Sequence, residues 1–146
     1  MSPTIEIRSA TIADAEHLSA LILELGYAIS PQQLRDKLAG MQPSRTDQAF
    51  VATAGDRLLG CISLHALPLF HAVGKLGRIT SLVVSATHRG QGIGTALLTS
   101  SHAWFESAGC TKFEVTSGDQ RGAAHRFYES HGYHRDGQRL SRLLSS

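Results

Sequence analysis

Cysteine is scarce in this 146-residue chain, with Cys61 and Cys110 alone, and neither sign of charge prevails, since 14 Lys and Arg against 12 Asp and Glu leave a formal +2. Two cysteines without a secretory leader are poor grounds for a disulfide. Cys61 falls in an apolar strand pattern and Cys110 at a helix-to-strand junction, so both read as small buried residues. A charge of +2 does not make the broad basic surface that phosphate backbones require, so no nucleic-acid partner is expected. Met1 to Arg8 has no basic segment leading into an apolar stretch, and no apolar run approaches the roughly twenty residues of a membrane span. A cytoplasmic chain without a membrane partner or a bound metal is expected. Repeats, linkers and low-complexity stretches are also missing. The length suits one domain over 1–146, large enough to bury about two thirds of its unfolded surface.

The charges are unevenly placed. Arg121, Arg126, Arg135, Arg139 and Arg142 crowd the last quarter, while Glu6, Asp14, Glu16, Glu24, Asp36 and Asp47 lie in the first third. Such a run is a solvated face in most proteins; here it also allows an anion bound near the C-terminal half.

Periodicity gives the elements. Thr4 to Arg8 alternates as a short strand. Thr11-x-x-Asp14 opens a helix with Ile12, Ala15, Leu18, Leu21, Ile22 and Leu25 at helical spacing up to Gly26. Ser30-Pro31-x-Gln33 opens a second, backed by Leu34, Leu38 and Met41. Gln48 to Ala54 and Arg57 to His65 form a hairpin around Gly55-Asp56. A loop over Leu67 to Gly77 and a strand from Arg78 to Ser85 follow. Gln91 to Ala108 is the longest helix, with Ile93, Leu97, Leu98, Trp104, Phe105 and Ala108 as its buried stripe and Gly109 as its stop. Lys112 to Thr116 reads as a strand, Arg121 to His131 as a helix ended by Gly132, and Tyr133 to Leu144 as one or two terminal strands around Gly137.

Arg89-Gly90-Gln91-Gly92-Ile93-Gly94-Thr95 sits between the apolar run Leu82-Val83-Val84 and the longest helix. Alternate glycines remove Cβ atoms, so main-chain N–H groups can converge on one point and a charged ligand can reach them. The helix start adds its unpaired N–H groups and dipole, and Arg89 a planar cationic fork. A pyrophosphate suits such a turn. The dinucleotide fingerprint is excluded because Thr95 stands where its third glycine belongs, and the phosphate loop because no lysine follows the last glycine.

This R-G-Q-G-I-G stretch resembles the acetyl-coenzyme A turn, (Arg/Gln)-x-x-Gly-x-(Gly/Ala), of the GCN5-related N-acetyltransferase (GNAT) superfamily. Downstream, Ala124-His-Arg-Phe127-Tyr128-Glu-Ser-His-Gly132-Tyr133 resembles that family's A-x-x-F-Y-x-x-x-G-(F/Y) helix. The resemblance covers nearly the whole chain. It implies an α/β fold, a mixed, mostly antiparallel sheet flanked by four helices in the order β-α-α-β-β-β-α-β-α-β. It also implies acetyl-coenzyme A as co-substrate. Leu82, Val83 and Val84 would hold its pantetheine arm through main-chain groups, and Arg89 to Thr95 its pyrophosphate. Arg121, Ala124 and Phe127 would line it from the later helix. Family members often form dimers, so a homodimer is an expected assembly.

Acetyl transfer to an amine poses two proton problems. An alkylamine of reference pKa about 10.4 is the free base in roughly one molecule in several thousand at pH 7, a cost of about 4.6 kcal/mol. The departing thiolate needs a proton or equivalent stabilisation. By resemblance Tyr128 is the acid, a phenol facing the coenzyme sulfur, and N–H groups near Val84 polarise the thioester carbonyl. Many relatives carry a glutamate base on the strand before the turn, but Arg78-Ile-Thr-Ser-Leu82 has none. His65 and His71 are the nearest candidates, imidazole being the side chain that exchanges protons near neutrality.

Arg121 is a second departure, because many relatives have asparagine there. Ile62-Ser-Leu-His65, the His71 loop, Leu82-Val-Val84 and Ala124 to Tyr128 with Arg121 are similar to aminoalkylphosphonate N-acetyltransferases. Arg121, Arg126, His65 or His71 would then accompany a phosphonate. The expected reaction is direct acetylation of a small primary amine, an anionic one included, without a cysteine relay. The alternatives are a protein or peptide acceptor, or a coenzyme A-binding module that has lost turnover.

Overall fold

The computed structural model describes residues 4–116, 122–137 and 139–144. The chain forms two compact units, Met1–Val115 and Thr116–Ser146. In the first, β1 (Glu6–Ser9), α1 (Ala15–Glu24), α2 (Pro31–Met41), β2 (Asp47–Ala54), β3 (Arg57–Pro68), β4 (Lys75–Val84), α3 (Ile93–Ser107) and β5 (Cys110–Val115) follow in order; α4 (Gly122–Glu129) belongs to the second. The sheet runs β1-β2-β3-β4-β5. Its first four strands are antiparallel, and β5 joins β4 in parallel.

Side-chain alternation lets the central strands β2, β3 and β4 bury residues on both faces. Val51, Cys61 and Val83 meet Leu18 and Leu21 of α1 and Leu34 and Leu38 of α2. On the opposite face Ile93, Leu97, Leu98 and Phe105 of α3 are buried at 0–1% exposure. Trp104 and Ala108, expected in that stripe, are half-buried. Gly60 lets α3 settle on the sheet, since an added Cβ would stand 3.0 Å from the Val83 carbonyl oxygen and 3.2 Å from Ile93 and Leu97.

The start of α2 follows the sequence. Pro31 leads α2, the Gln33 N–H donates to Ser30 Oγ at 3.1 Å, and the Ser30 N–H donates to Gln33 Oε1 at 2.9 Å. Before α1, Asp14 accepts the Thr11 N–H at 2.8 Å and both guanidinium nitrogens of Arg8 at 2.8 Å. The Arg8 bonds hold the Asp14 carboxyl below the usual carboxylate range, against the opposing effect of burial. A depressed carboxyl stabilises the fold above its unfolded pKa near 3.9 and loses that contribution as pH falls through the folded value. Asp14→Asn should therefore cost about 1–2 kcal/mol at pH 7 and progressively less toward pH 2. Urea midpoints across that range check it; a pH-independent difference would exclude the linkage.

The loop expected over 67–77 is shorter. The β3–β4 ladder continues through Leu67↔Leu76 to Pro68↔Lys75, so only 69–74 lies outside it. Sequence alternation fades there because both rims are solvated, yet main-chain pairing needs no apolar face. The helix expected from Gln91 starts at Ile93, because Gly92, at φ +79°, is its cap. Element order agrees through α4, but among the described residues of 133–144 there is no strand. Leu140, Leu143 and Leu144 are 75–104% exposed, so these side chains offer no buried face to fix a register.

Candidate active site

Gly90 and Gly92 both adopt φ +79°, which side-chain-bearing residues rarely reach. Added Cβ atoms there would meet nothing within 4 Å, so the main chain of the turn is uncovered. The first intrahelical bond of α3 runs from the Ala96 N–H to the Gly92 carbonyl at 3.0 Å, leaving the Ile93 and Gly94 N–H groups without helical acceptors. The Ile93 side chain is buried, so its offering to a ligand is its backbone. Gln91 and Thr95 are exposed, as is Arg89, in extended conformation ahead of the turn.

The strand leading into this turn leaves its neighbour. The β4–β5 ladder ends at Ile79↔Val115, while Leu82, Val83 and Val84 stay paired with Ile62, Cys61 and Gly60 of β3. Alternate N–H and C=O groups of an antiparallel strand point away from its partner. Among the described residues no strand takes up those on the outer side of 80–84. A β3–β4 bulge stands at this point. Ser63 opposes Ser81 and Leu64 opposes Ile79, so Thr80 is an extra residue, and such a bulge bends and twists its strand. Among the described residues an uncovered glycine turn thus continues from a strand edge that no neighbouring strand takes up, the arrangement the resemblance leads one to expect.

The bulge also re-aims hydroxyls. Ser63 Oγ lies 2.7 Å from Thr80 Oγ1 and 2.5 Å from Ser81 Oγ. Thr80 Oγ1 lies 2.9 Å from His65 Nε2, and His65 Nδ1 lies 2.7 Å from Asp47 Oδ1. The imidazole contact is the main reason the Asp47 carboxyl sits below the usual carboxylate range, with Ser44 assisting. Beside this strip Arg78, the register partner of His65, donates from Nε (2.7 Å) and Nη2 to Glu114 on β5.

Of the two candidate histidines, His65 joins this strip. His71 is exposed in the 69–74 loop, beyond the end of β3 and roughly 17 Å of strand from Ser63. Asp47, Ser63, Thr80 and Ser81 escape a reading of the sequence, since only register brings them together. An Asp directly paired with a strand His was the one available signal, and it needs the pairing to be known.

In the second unit Tyr128 is 8% exposed, with Phe127 and Tyr133 edge-on at ring distances of 5.3 and 5.5 Å. Burial, with a smaller effect from Tyr133, pushes its phenol up to about 12. Ala124 and Phe127 are half-buried on the same helix. Arg121 lies outside the described residues. Both cysteines are buried, and burial raises both thiols, Cys61 to about 12, so neither is poised as a nucleophile.

Residues 15–133 match the family model described as Acetyltransferase (GNAT) family. An aminoalkylphosphonate N-acetyltransferase of Salmonella typhimurium is 33% identical over 143 residues, 97% of this chain and 93% of that protein. A transcriptional regulator from Bacillus halodurans shares the fold at a TM-score of 0.87 and 22% identity, over 97% of this chain and 100% of its own. An aminoglycoside N-acetyltransferase solved with CoA superposes at a TM-score of 0.87 and 12% identity, over 100% of this chain and 98% of its own. No helix among the described residues is long and apolar enough to cross a membrane, and they include no cluster of three or more His, Cys, Asp or Glu placed to hold a metal ion. The chain belongs to the acetyltransferase (GNAT) family and is an N-acetyltransferase with acetyl-coenzyme A as its co-substrate.

Proposed function

We propose that this enzyme acetylates a small primary amine by direct transfer, with anionic amines of the aminoalkylphosphonate kind as its preferred class. The observation that carries the reading is the release of β4 from β5 after Ile79, beside a hydroxyl and imidazole strip. The 33% identical aminoalkylphosphonate N-acetyltransferase supports the substrate class. The two compact units act as one domain in this reading, because the family match runs across their boundary.

The outer edge of Leu82 to Val84 takes the amides of the pantetheine arm, and the Gly90 to Gly94 main chain with Arg89 takes the pyrophosphate. Ala124, Phe127 and Arg121 complete the coenzyme contacts. His65 is the base. Both of its ring nitrogens are already engaged, so a phosphonate falls instead to arginines, Arg126 and Arg121 being the nearest to the family motif.

Tyr128 serves the leaving group, in a way its environment restricts. Full transfer from a phenol near 12 to a thiolate whose conjugate acid lies near 8.5 would be uphill by roughly 5 kcal/mol. Its part is to hydrogen-bond the charge growing on sulfur as the C–S bond breaks. Tyr128→Phe should lower kcat about 10- to 100-fold with little change in coenzyme affinity; an unchanged kcat would remove Tyr128 from the mechanism.

The reading is tested by thiol release from acetyl-coenzyme A with aminoalkylphosphonates, polyamines, amino acids, aminoglycosides and peptides. Turnover confined to the phosphonates supports it. Turnover with peptides alone, or coenzyme binding without thiol release, would replace it by a macromolecular acceptor or by a binding module. The missing strand glutamate is what keeps the binding module in view.

A further inference from the structure

With Asp47 ionised and the His65 ring neutral, the side-chain contacts across β2, β3 and β4 orient as one continuous chain. An ionised Asp47 has no proton to give, so His65 Nδ1, at 2.7 Å, carries the hydrogen between them. In a neutral ring Nε2 is then an acceptor, and Thr80 Oγ1, at 2.9 Å, donates to it. Thr80 has no second proton, so its 2.7 Å contact is donated by Ser63, and the 2.5 Å contact of Ser63 is donated by Ser81. Ser81 Oγ is left as the open acceptor of a chain running Ser81, Ser63, Thr80, His65, Asp47. Ser81 immediately precedes Leu82–Val84, whereas His65 lies two strand residues, roughly 6.6 Å, beyond Ser63.

We infer that Ser81, Ser63 and Thr80 form a hydroxyl relay carrying a proton from the acceptor ammonium to His65, and that Asp47 is a positioning residue fixing the ring's tautomer and orientation. This deepens the proposed function and rests on it. The ammonium gives its first proton to Ser81 Oγ; each hydroxyl passes its own proton onward, and His65 Nε2 receives the last. Only O–H and N–H bonds change, and the hydroxyls end up pointing the other way, donated from the imidazolium toward Ser81. The freed amine attacks the thioester carbonyl. As the N–C bond forms and the C–S bond breaks, the second nitrogen proton ends on the thiol sulfur. His65, 31% exposed at its side chain, releases the first to water. One amide, one thiol and one proton result.

The charged groups facing His65 are Asp47 on β2 and Arg78 on β4, with Glu114 of β5 bonded to Arg78.

The test compares Thr80→Val, Thr80→Ser, Asp47→Asn and His65→Ala, singly and with His65→Ala in double variants. Readouts are kcat/KM for the amine from pH 6 to 10, coenzyme affinity and thermal midpoint. Thr80→Val and Asp47→Asn should each lower kcat/KM about 10- to 100-fold at pH 7. The loss should shrink toward pH 10, and coenzyme affinity and midpoint should hold. Thr80→Ser, which keeps the hydroxyl, should restore most of the rate. Neither change should slow His65→Ala further, because a broken relay cannot be broken twice. A Thr80→Val enzyme at full rate, or losses that multiply with His65→Ala, would overturn the relay while leaving His65 as base. A His65→Ala enzyme at full rate would overturn both.

Discussion

Replacing His65 with alanine should lower kcat/KM for the amine about 100- to 1,000-fold at pH 7 while leaving the affinity for acetyl-coenzyme A unchanged. The size follows from the nucleophile. A primary amine of pKa about 10.4 is ionised at pH 7 in all but roughly one molecule in several thousand, so a site without a proton acceptor must draw on that fraction. The variant should recover in proportion to hydroxide, approaching the parent rate as the amine deprotonates unaided. Stability should change little, since the side chains of His65 and Asp47 are 31% and 39% exposed. The glycine turn lies eight residues or more beyond Ser81 along the chain and should bind coenzyme as before. The check is the pH profile of kcat/KM beside calorimetric coenzyme binding; a variant keeping the parent profile would leave this enzyme without an identified base.

The largest effect on the fold should come from a single methyl group. An added Cβ at Gly77 would lie 2.5 Å from Phe105 Cδ1 and 2.8 Å from Cγ and Cε1. Phe105 is fully buried and stacked on Phe113 at 4.9 Å, so the ring has nowhere to withdraw. Restricting the unfolded chain by a Gly→Ala change favours folding by about 0.4–1 kcal/mol. Overpacking of a dense core costs about 1–3 kcal/mol, and here the clash is with a ring rather than a flexible chain end, so the penalty wins. Gly77→Ala should lower the thermal midpoint by roughly 5–10 °C. Adding Phe105→Leu, which opens the space, should cost less in Gly77→Ala than in the parent. A Gly77→Ala protein with the parent midpoint would mean that β4 or α3 shifts freely.

What could be read from the chain beforehand divides along physical lines. Strong local signals placed their elements: the Ser30-Pro31-x-Gln33 box opened α2, Leu18 and Leu21 gave α1 its buried face, and Gly26, Gly109 and Gly132 end helices at φ +104°, +88° and +91°. The glycine turn was legible because Gly90 and Gly92 state a backbone conformation. The polar strip was not. Asp47 faces His65 only because β2 begins one residue earlier than its apolar pattern, and Thr80 reaches the imidazole only because a bulge adds a residue opposite Ser63. Bulges and register arise from pairing between distant segments, which a local pattern does not encode. For the same reason the solvated rims of the β3–β4 hairpin read as loop, and the mixed composition of 133–144 suggests strand where the described residues hold none.

Among the described residues the outer margin of β4 from Thr80 to Val84 has no partner strand and amounts to an unfinished sheet. A pantetheine chain, with two secondary amides spaced along an extended backbone, is chemically a short peptide strand, so in the proposed binding mode the coenzyme would serve as a borrowed piece of secondary structure. Bare sheet margins recruit foreign chains. The same nucleotide that brings the acetyl group should therefore shield the protein from self-association, and its cellular supply should set the folded population by mass action.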